Sequence, residues 1–255
     1  MRIGVVGLGL IGGSIFKNLR EAKKHDLIGI SGSVHEFNVS NDYGNLRECD
    51  LVFVCTPMNK TPEILQKLEN YLTENTIVTD VCSLKEFVSV RTYKYKFIPS
   101  HPMAGTEHSG WEYAFPDMFE KAIWAVTPLK GTKQEDLNLL KSVIDELGAK
   151  TIQTTPKEHD EAVALISHAP MIIAQALCKN IKDNKLAQTL ASSGFRDTTR
   201  LAMSNTEMAN DMITMNETNI RNAIEMLNKN LNELLTPNYL NEAEEIKDFR
   251  TKLYE

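Results

Sequence analysis

Arg2-Ile3-Gly4-Val5-Val6-Gly7-Leu8-Gly9-Leu10-Ile11-Gly12-Gly13-Ser14 decides the fold of this chain. Residues 2–6 are a short apolar run of the kind that forms a buried strand. Three glycines then recur as Gly7-x-Gly9-x-x-Gly12, and Ile15, Phe16 and Leu19 take up a helical period behind them. Strand, glycine turn and helix in that order make the dinucleotide fingerprint. Gly7 permits the tight turn, Gly9 lets the backbone approach a pyrophosphate, and Gly12 lets helix and strand pack closely. The helix N-terminus offers unpaired amides and the positive end of its dipole to phosphate. The competing reading is a glycine-rich turn that binds nothing. The strand before the turn and the helix after it favour nucleotide binding.

Working outward, Leu27–Ile30, Leu51–Cys55, Thr76–Val81 and Lys96–Pro99 read as further strands, with a helix over Pro62–Tyr71. Ala122–Thr127 and Thr151–Thr154 read as later strands, separated by an amphipathic helix over Gln134–Leu147 that Gly148 ends. Strands alternating with helices imply a parallel, doubly wound sheet. Ser31–Asp50 shows no clear apolar helix and reads as a shortened or irregular connection. From Pro156 onward no strand is convincing. His159–Lys179 reads as one long helix that Pro170 should kink or split. Leu186–Met203 and Asp211–Leu235 read as helices, and Asn241–Glu255 as a charged surface helix or a mobile end. The expected architecture is an α/β dinucleotide-binding (Rossmann-like) domain over residues 1–154. An all-α C-terminal domain over residues 155–255 follows it.

Composition narrows the function classes. The chain has 255 residues, enough for a real core, and a formal charge of −6 without a Lys/Arg run, which argues against nucleic acid as a partner. Cys49, Cys55, Cys82 and Cys178 form no C-x-x-C pair, so no metal site is expected and a reducing compartment fits. No apolar run reaches the roughly 20 residues of a membrane span. The expectation is a cytoplasmic protein with no membrane association.

His101-Pro102-Met103-Ala104-Gly105-Thr106-Glu107 places an imidazole after the fifth strand, at the sheet edge where ligands of such folds bind. Histidine is the side chain best suited to share a proton near neutral pH. A hydrogen-bonded turn histidine is the plainer alternative, and position favours catalysis. Ser83, after the fourth strand, reads as a helix N-cap, a ligand contact or both. His168 in the long helix reads equally as a core histidine or a ligand-facing one. The methionines at 171, 203, 208, 212 and 215 read as core filler. In Gly194-Phe195-Arg196-Asp197-Thr198-Thr199-Arg200, Arg196 and Arg200 would share a helix face. Arg200, followed by Leu201-Ala202-Met203, would enter buried ground and match a carboxylate with its fork. NAD selection usually needs a carboxylate after the second strand, yet Ser31-Gly32-Ser33 stands there. Ser31 could bond either cofactor, Glu36 could reach in from the loop, and the choice of NAD or NADP stays open.

Together these residues resemble the prephenate dehydrogenase family of tyrosine biosynthesis, with its arogenate-using relatives. The resemblance rests on residues 7–14, on His101–Glu107, on Ser167-His168 and on Gly194–Arg200. It implies an NAD- or NADP-dependent oxidative decarboxylation of prephenate to 4-hydroxyphenylpyruvate. By resemblance His101 and Ser83 are catalytic at the substrate hydroxyl, and Arg200, Thr106, Glu107 and His168 bind substrate. Gly7, Gly9, Leu10, Ile11, Gly12, Ser31, Thr56 and Pro57 bind the cofactor, and the helical domain forms a homodimer. Two departures stand out: Met171 replaces a second histidine found in many relatives, and Met208-Ala209-Asn210 stands where they often carry Trp-Arg. Both concern the substrate's side arm and leave prephenate and arogenate open. Two rivals remain. A β-hydroxyacid dehydrogenase would need a lysine in the helix over 159–177, which has none. A catalytically silent nucleotide-binding protein would leave His101, Ser83 and Arg200 without a task.

Overall fold

The computed structural model describes residues 1–106 and 108–254. Six parallel strands form the main sheet: Arg2–Val6 (β1), Asp26–Ile30 (β2), Val39–Ser40 (β3), Leu51–Val54 (β4), Ile77–Asp80 (β5) and Lys96–Phe97 (β6). Their order is β3-β2-β1-β4-β5-β6. The chain moves outward from β1 to β3 and then returns to the other side of β1 at β4. The carboxyl ends of β1 and β4 therefore flank a switch point, where this class of sheet opens a crevice. Leu51–Val54 is buried throughout, because helices cover both faces.

Leu10–Ala22 (α1) packs Ile15, Phe16 and Leu19 onto one face. Thr61–Leu68 (α2) packs Leu65 and Leu68 onto the other. Gln134–Glu146 (α3) adds Leu137, Leu140 and Ile144 to the first face. The irregular connection expected over 31–50 is the two-residue β3 and a 3-10 turn over Tyr43–Leu46.

The last three strands leave the parallel sheet. Ser100–Pro102 (β7) pairs antiparallel with Ile123–Val126 (β8), and β8 pairs parallel with Lys150–Gln153 (β9). Pro99, between β6 and β7, has no N–H to continue the parallel ladder, so the strand changes sheets there. His101 thus lies within a strand of a second sheet and not just beyond the carboxyl end of a parallel one.

The helical half opens with Pro156–Val163 (α4), held by a reciprocal capping box between Thr155 and Glu158. Pro170 offers no N–H to the carbonyl of Ile166. The helix widens into a π turn over Ala164–His168 and resumes as Ala169–Asn180 (α5). The whole stretch Pro156–Asn180 is long and apolar enough to cross a membrane by length and composition, contrary to the expectation that no such run exists. Within that stretch Ala169, Met171 and Ala174 are buried, whereas Leu165 and Ile166 are exposed.

The helix expected over 186–203 is three short pieces: Lys185–Leu190 (α6), Ser193–Thr198 (α7) and a 3-10 turn over Arg200–Met203. Thr206–Met215 (α8) and Glu217–Leu234 (α9) meet at Asn216, which breaks the helix expected over 211–235. Tyr239–Lys252 (α10) makes the tail helical. Met171 and Met212 are core residues as expected, but Met203, Met208 and Met215 are exposed.

Candidate active site

At the switch point the glycines do three different things. Gly7 has φ +89°, and a Cβ there would stand 2.7 Å from the carbonyl oxygen of Cys55. A Cβ on Gly12 would fall 2.0 Å from the oxygen of Gly7, so α1 and β1 approach only because it is absent. A Cβ on Gly9 would meet nothing within 4 Å, which leaves open space beside the backbone. Gly9 caps α1 with no side chain, so the helix amides face that space unpaired. A cleft of about 830 Å³ lies there, lined by Gly7, Gly9, Ser31, Glu36, Thr56 and Trp111 among others. An uncapped helix end over an open glycine turn fits a dinucleotide pyrophosphate. Of the other expected contacts, Leu10, Ile11, Gly12 and Pro57 do not line the cleft. Gly12 shapes it through packing.

Ser31 folds the rim of the cleft: its Oγ accepts from the amides of Ser33 at 3.3 Å and Val34 at 3.2 Å. Glu36 lines the same rim and pairs with Arg20 at 3.4 Å. A carboxylate therefore does stand at the cleft, supplied by the loop and not by the end of β2.

The second feature is a buried hydrogen-bonded cluster where the two halves of the chain meet. His101 Nδ1 lies 3.0 Å from His159 Nε2, and His159 Nδ1 lies 2.7 Å from Asp160 Oδ1. Asp160 also accepts the amides of Lys85 at 2.8 Å and Glu86 at 2.9 Å. Below it, Lys85 Nζ donates to Asp80 Oδ2 and to the carbonyl of Ser100, the residue before His101. Asp80 Oδ1 in turn accepts the amide of Ser100. Asn216 Nδ2 donates to the carbonyl of Asp160 at 2.9 Å and reaches His168 Nδ1 at 3.2 Å. Burial holds the His101 imidazolium well below the usual histidine range, with His159, Lys85 and His168 adding to it. Burial likewise lowers His168 to about 4, against an opposing pull from Asp160. His101 Nε2 makes no hydrogen bond among the described residues. Neither these histidines nor any other described residues group as three or more potential metal ligands.

The remaining expected residues divide. Ser83 follows β5 but opens no helix; it lies in a turn and donates to Met58 Sδ at 3.2 Å. His168 is 1% exposed, held on the π turn by Asn216. Thr106 is exposed and accepts the amide of His108. Glu107 lies outside the described residues. Arg200 does not enter buried ground: it is exposed, begins the 3-10 turn, and makes no ion pair among the described residues. Arg196 is exposed on α7 and pairs with its neighbour Asp197. His159, Asp160, Lys85, Asp80 and Asn216 were not singled out from sequence. The available signal was an adjacent His-Asp pair in the first turns of an otherwise apolar helix.

The nucleotide-binding-domain pattern of prephenate dehydrogenase matches residues 22–153, and the dimerization-domain pattern of the same family matches 155–251. The glycine cradle precedes the first span. Prephenate dehydrogenase of Bacillus subtilis is 31% identical over 240 residues, 85% of this chain and 64% of that protein. Its counterpart in Lactococcus lactis is 31% identical over 256 residues, 91% of this chain and 70% of that one. The chain thus spans about two thirds of the length of these curated relatives. Among solved structures, Synechocystis arogenate dehydrogenase superposes with a TM-score of 0.85 at 35% identity, over 99% of this chain and 97% of that one. The A. aeolicus prephenate dehydrogenase, solved with hydroxyphenyl propionate and NAD+, gives 0.81 at 28%, over 100% and 96%.

Proposed function

The chain belongs to the prephenate dehydrogenase family, and from that premise we propose that it oxidises and decarboxylates prephenate to 4-hydroxyphenylpyruvate with NAD in tyrosine biosynthesis. The observation that carries this reading is the pairing of an open dinucleotide cradle with a hydrogen-bonded histidine whose Nε2 is unengaged, His101. Bound at the cradle, the dinucleotide supplies the hydride acceptor. His101 accepts the proton of the substrate hydroxyl at Nε2, and burial, which disfavours the imidazolium, keeps the ring neutral at pH 7. Ser83 assists at the same hydroxyl. Arg200, exposed and unpaired among the described residues, binds a substrate carboxylate, while Thr106, Glu107 and His168 complete the pocket. Glu36 at the cleft favours NAD, since its charge opposes a 2′-phosphate.

The division at 154/155 is supported by the two family spans and by the capping box at Thr155. We assign the helical half to homodimer formation, supported by the family's dimerization domain and by exposed Leu186, Leu190, Met226, Leu231 and Phe249. Four free cysteines support a cytoplasmic location. Similarity to an arogenate dehydrogenase at 35% identity favours arogenate as the second reading.

Steady-state turnover with prephenate and arogenate, each with NAD and NADP, tests the proposal. Prephenate with NAD is expected to give the highest kcat/KM; no turnover with either substrate contradicts it. Arg200→Ala is expected to weaken substrate binding by about 1.5–3 kcal/mol, the size of a hydrogen bond to a charged group. An unchanged KM removes Arg200 from the site.

A further inference from the structure

His101 is useful as a base only if its unengaged nitrogen, Nε2, carries a lone pair, and the cluster bonded to Nδ1 determines that. Asp160 is buried and accepts three N–H donors: the amides of Lys85 and Glu86, and His159 Nδ1. A carboxylate so surrounded stays an acceptor, so His159 Nδ1 must carry a proton. With neutral His159, its Nε2 is then bare and accepts from His101 Nδ1. That places the His101 proton on Nδ1 and leaves Nε2 bare.

We propose that His159 and Asp160 are positioning residues that hold His101 in its Nδ1–H tautomer. The inference rests on the function proposed above for what the base does, but the tautomer is a property of the protein alone. In the reaction the hydroxyl proton adds to His101 Nε2 and nothing else need move. The new positive charge strengthens the bond from Nδ1 to His159, whose own Nδ1–H is drawn toward Asp160. This is the logic by which a carboxylate orients the histidine of a hydrolase triad, lengthened here by one imidazole. The charged and titratable groups facing His101 and His159 are Asp160 on α4, the Lys85–Asp80 ion pair below Ser100, and His168 on the π turn.

NMR of the protein carrying isotope-labelled histidine reads the tautomer without substrate. The expected result at neutral pH is a proton on Nδ1 of His101 and a bare Nε2; a proton on Nε2 overturns the proposal. Two variants supply the second reading. His159→Leu removes the acceptor and should lower kcat by about 10²–10³-fold, the scale of a lost base, while both KM values stay within about threefold. His159→Gln keeps an oxygen for His101 and an amide for Asp160, and should recover at least about tenfold of that loss. Equal kcat in the two variants, or a His159→Leu enzyme within about threefold of wild type, overturns the proposal. Should His159→Leu fail to fold, the tautomer in the unaltered protein still decides. A bare Nε2 without turnover of prephenate or arogenate supports the relay and removes the activity; a protonated Nε2 with full turnover does the reverse.

Discussion

The nucleotide cradle is built within residues 7–12 of one turn, whereas the histidine cluster gathers residues 80, 85, 101, 159, 160, 168 and 216. The cradle works through backbone: a positive φ at Gly7, a close approach at Gly12 and free amides at the start of α1. The cluster works through side chains that satisfy one another out of water. A site of the first kind tolerates any neighbour that leaves the chain path alone. A site of the second kind fails when one partner is lost, because the others are left buried and unpaired.

The largest expected effect is at the base of the cluster. Lys85 and Asp80 are both fully buried, and Lys85 also holds the carbonyl of Ser100 next to His101. Lys85→Met should cost about 3–5 kcal/mol of stability, as for other buried pairs that lose one partner. Urea unfolding measures it, and a loss below about 1 kcal/mol, the size of a surface pair, would mean that the cluster is as tolerant as the cradle.

Acid comes next. His168 is neutral in the folded state down to about pH 4, while an unfolded histidine titrates near 6.5. Between those values the unfolded chain binds the extra proton, so this contribution is whole above about pH 6.5 and is lost as pH falls toward 4. The loss approaches about 3 kcal/mol, and His101 changes in the same direction. His168→Gln should flatten part of the urea midpoint's fall between neutral pH and pH 4.5, chosen to lie inside that window. An identical fall in the variant would show that His168 does not carry it.

The cradle predicts a smaller and more selective pattern. Gly12→Ala puts a methyl against backbone and should cost about 1–3 kcal/mol of stability as well as weakening NAD binding. Gly9→Ala has open space and an ordinary φ of −82°, so the urea midpoint should not move while NAD binding weakens. A destabilised Gly9→Ala protein would show that the cradle, too, depends on packing.

The same contrast explains what could be read from sequence. Gly7, Gly9 and Gly12 are consecutive in one pattern: Gly7 takes the positive φ and Gly12 the close packing which that pattern implies, and Gly9 leaves open space beside the backbone. His101 was legible as a candidate because a strand and small residues surround it. Its partner His159 was not, because it lies 58 residues away and looks like part of a charged helix start. Asn216 was hidden inside a helical period, which it breaks to bond the carbonyl of Asp160. Arg200 was expected to be buried from the apolar residues after it. The chain turns as 3-10 there and leaves Met203 exposed as well. The second sheet escaped because Pro99 and the short β7 say where a ladder stops, not where the strand pairs next.

Binding and chemistry can be separated most directly in His101→Asn, by titrating NAD and timing a single turnover of prephenate on the same protein. If the cradle binds and the cluster reacts, the NAD dissociation constant stays within about twofold while the single-turnover rate falls by about 10²–10⁴. A rate near that of the unaltered enzyme, or a loss of NAD affinity as large as the loss of rate, contradicts the account.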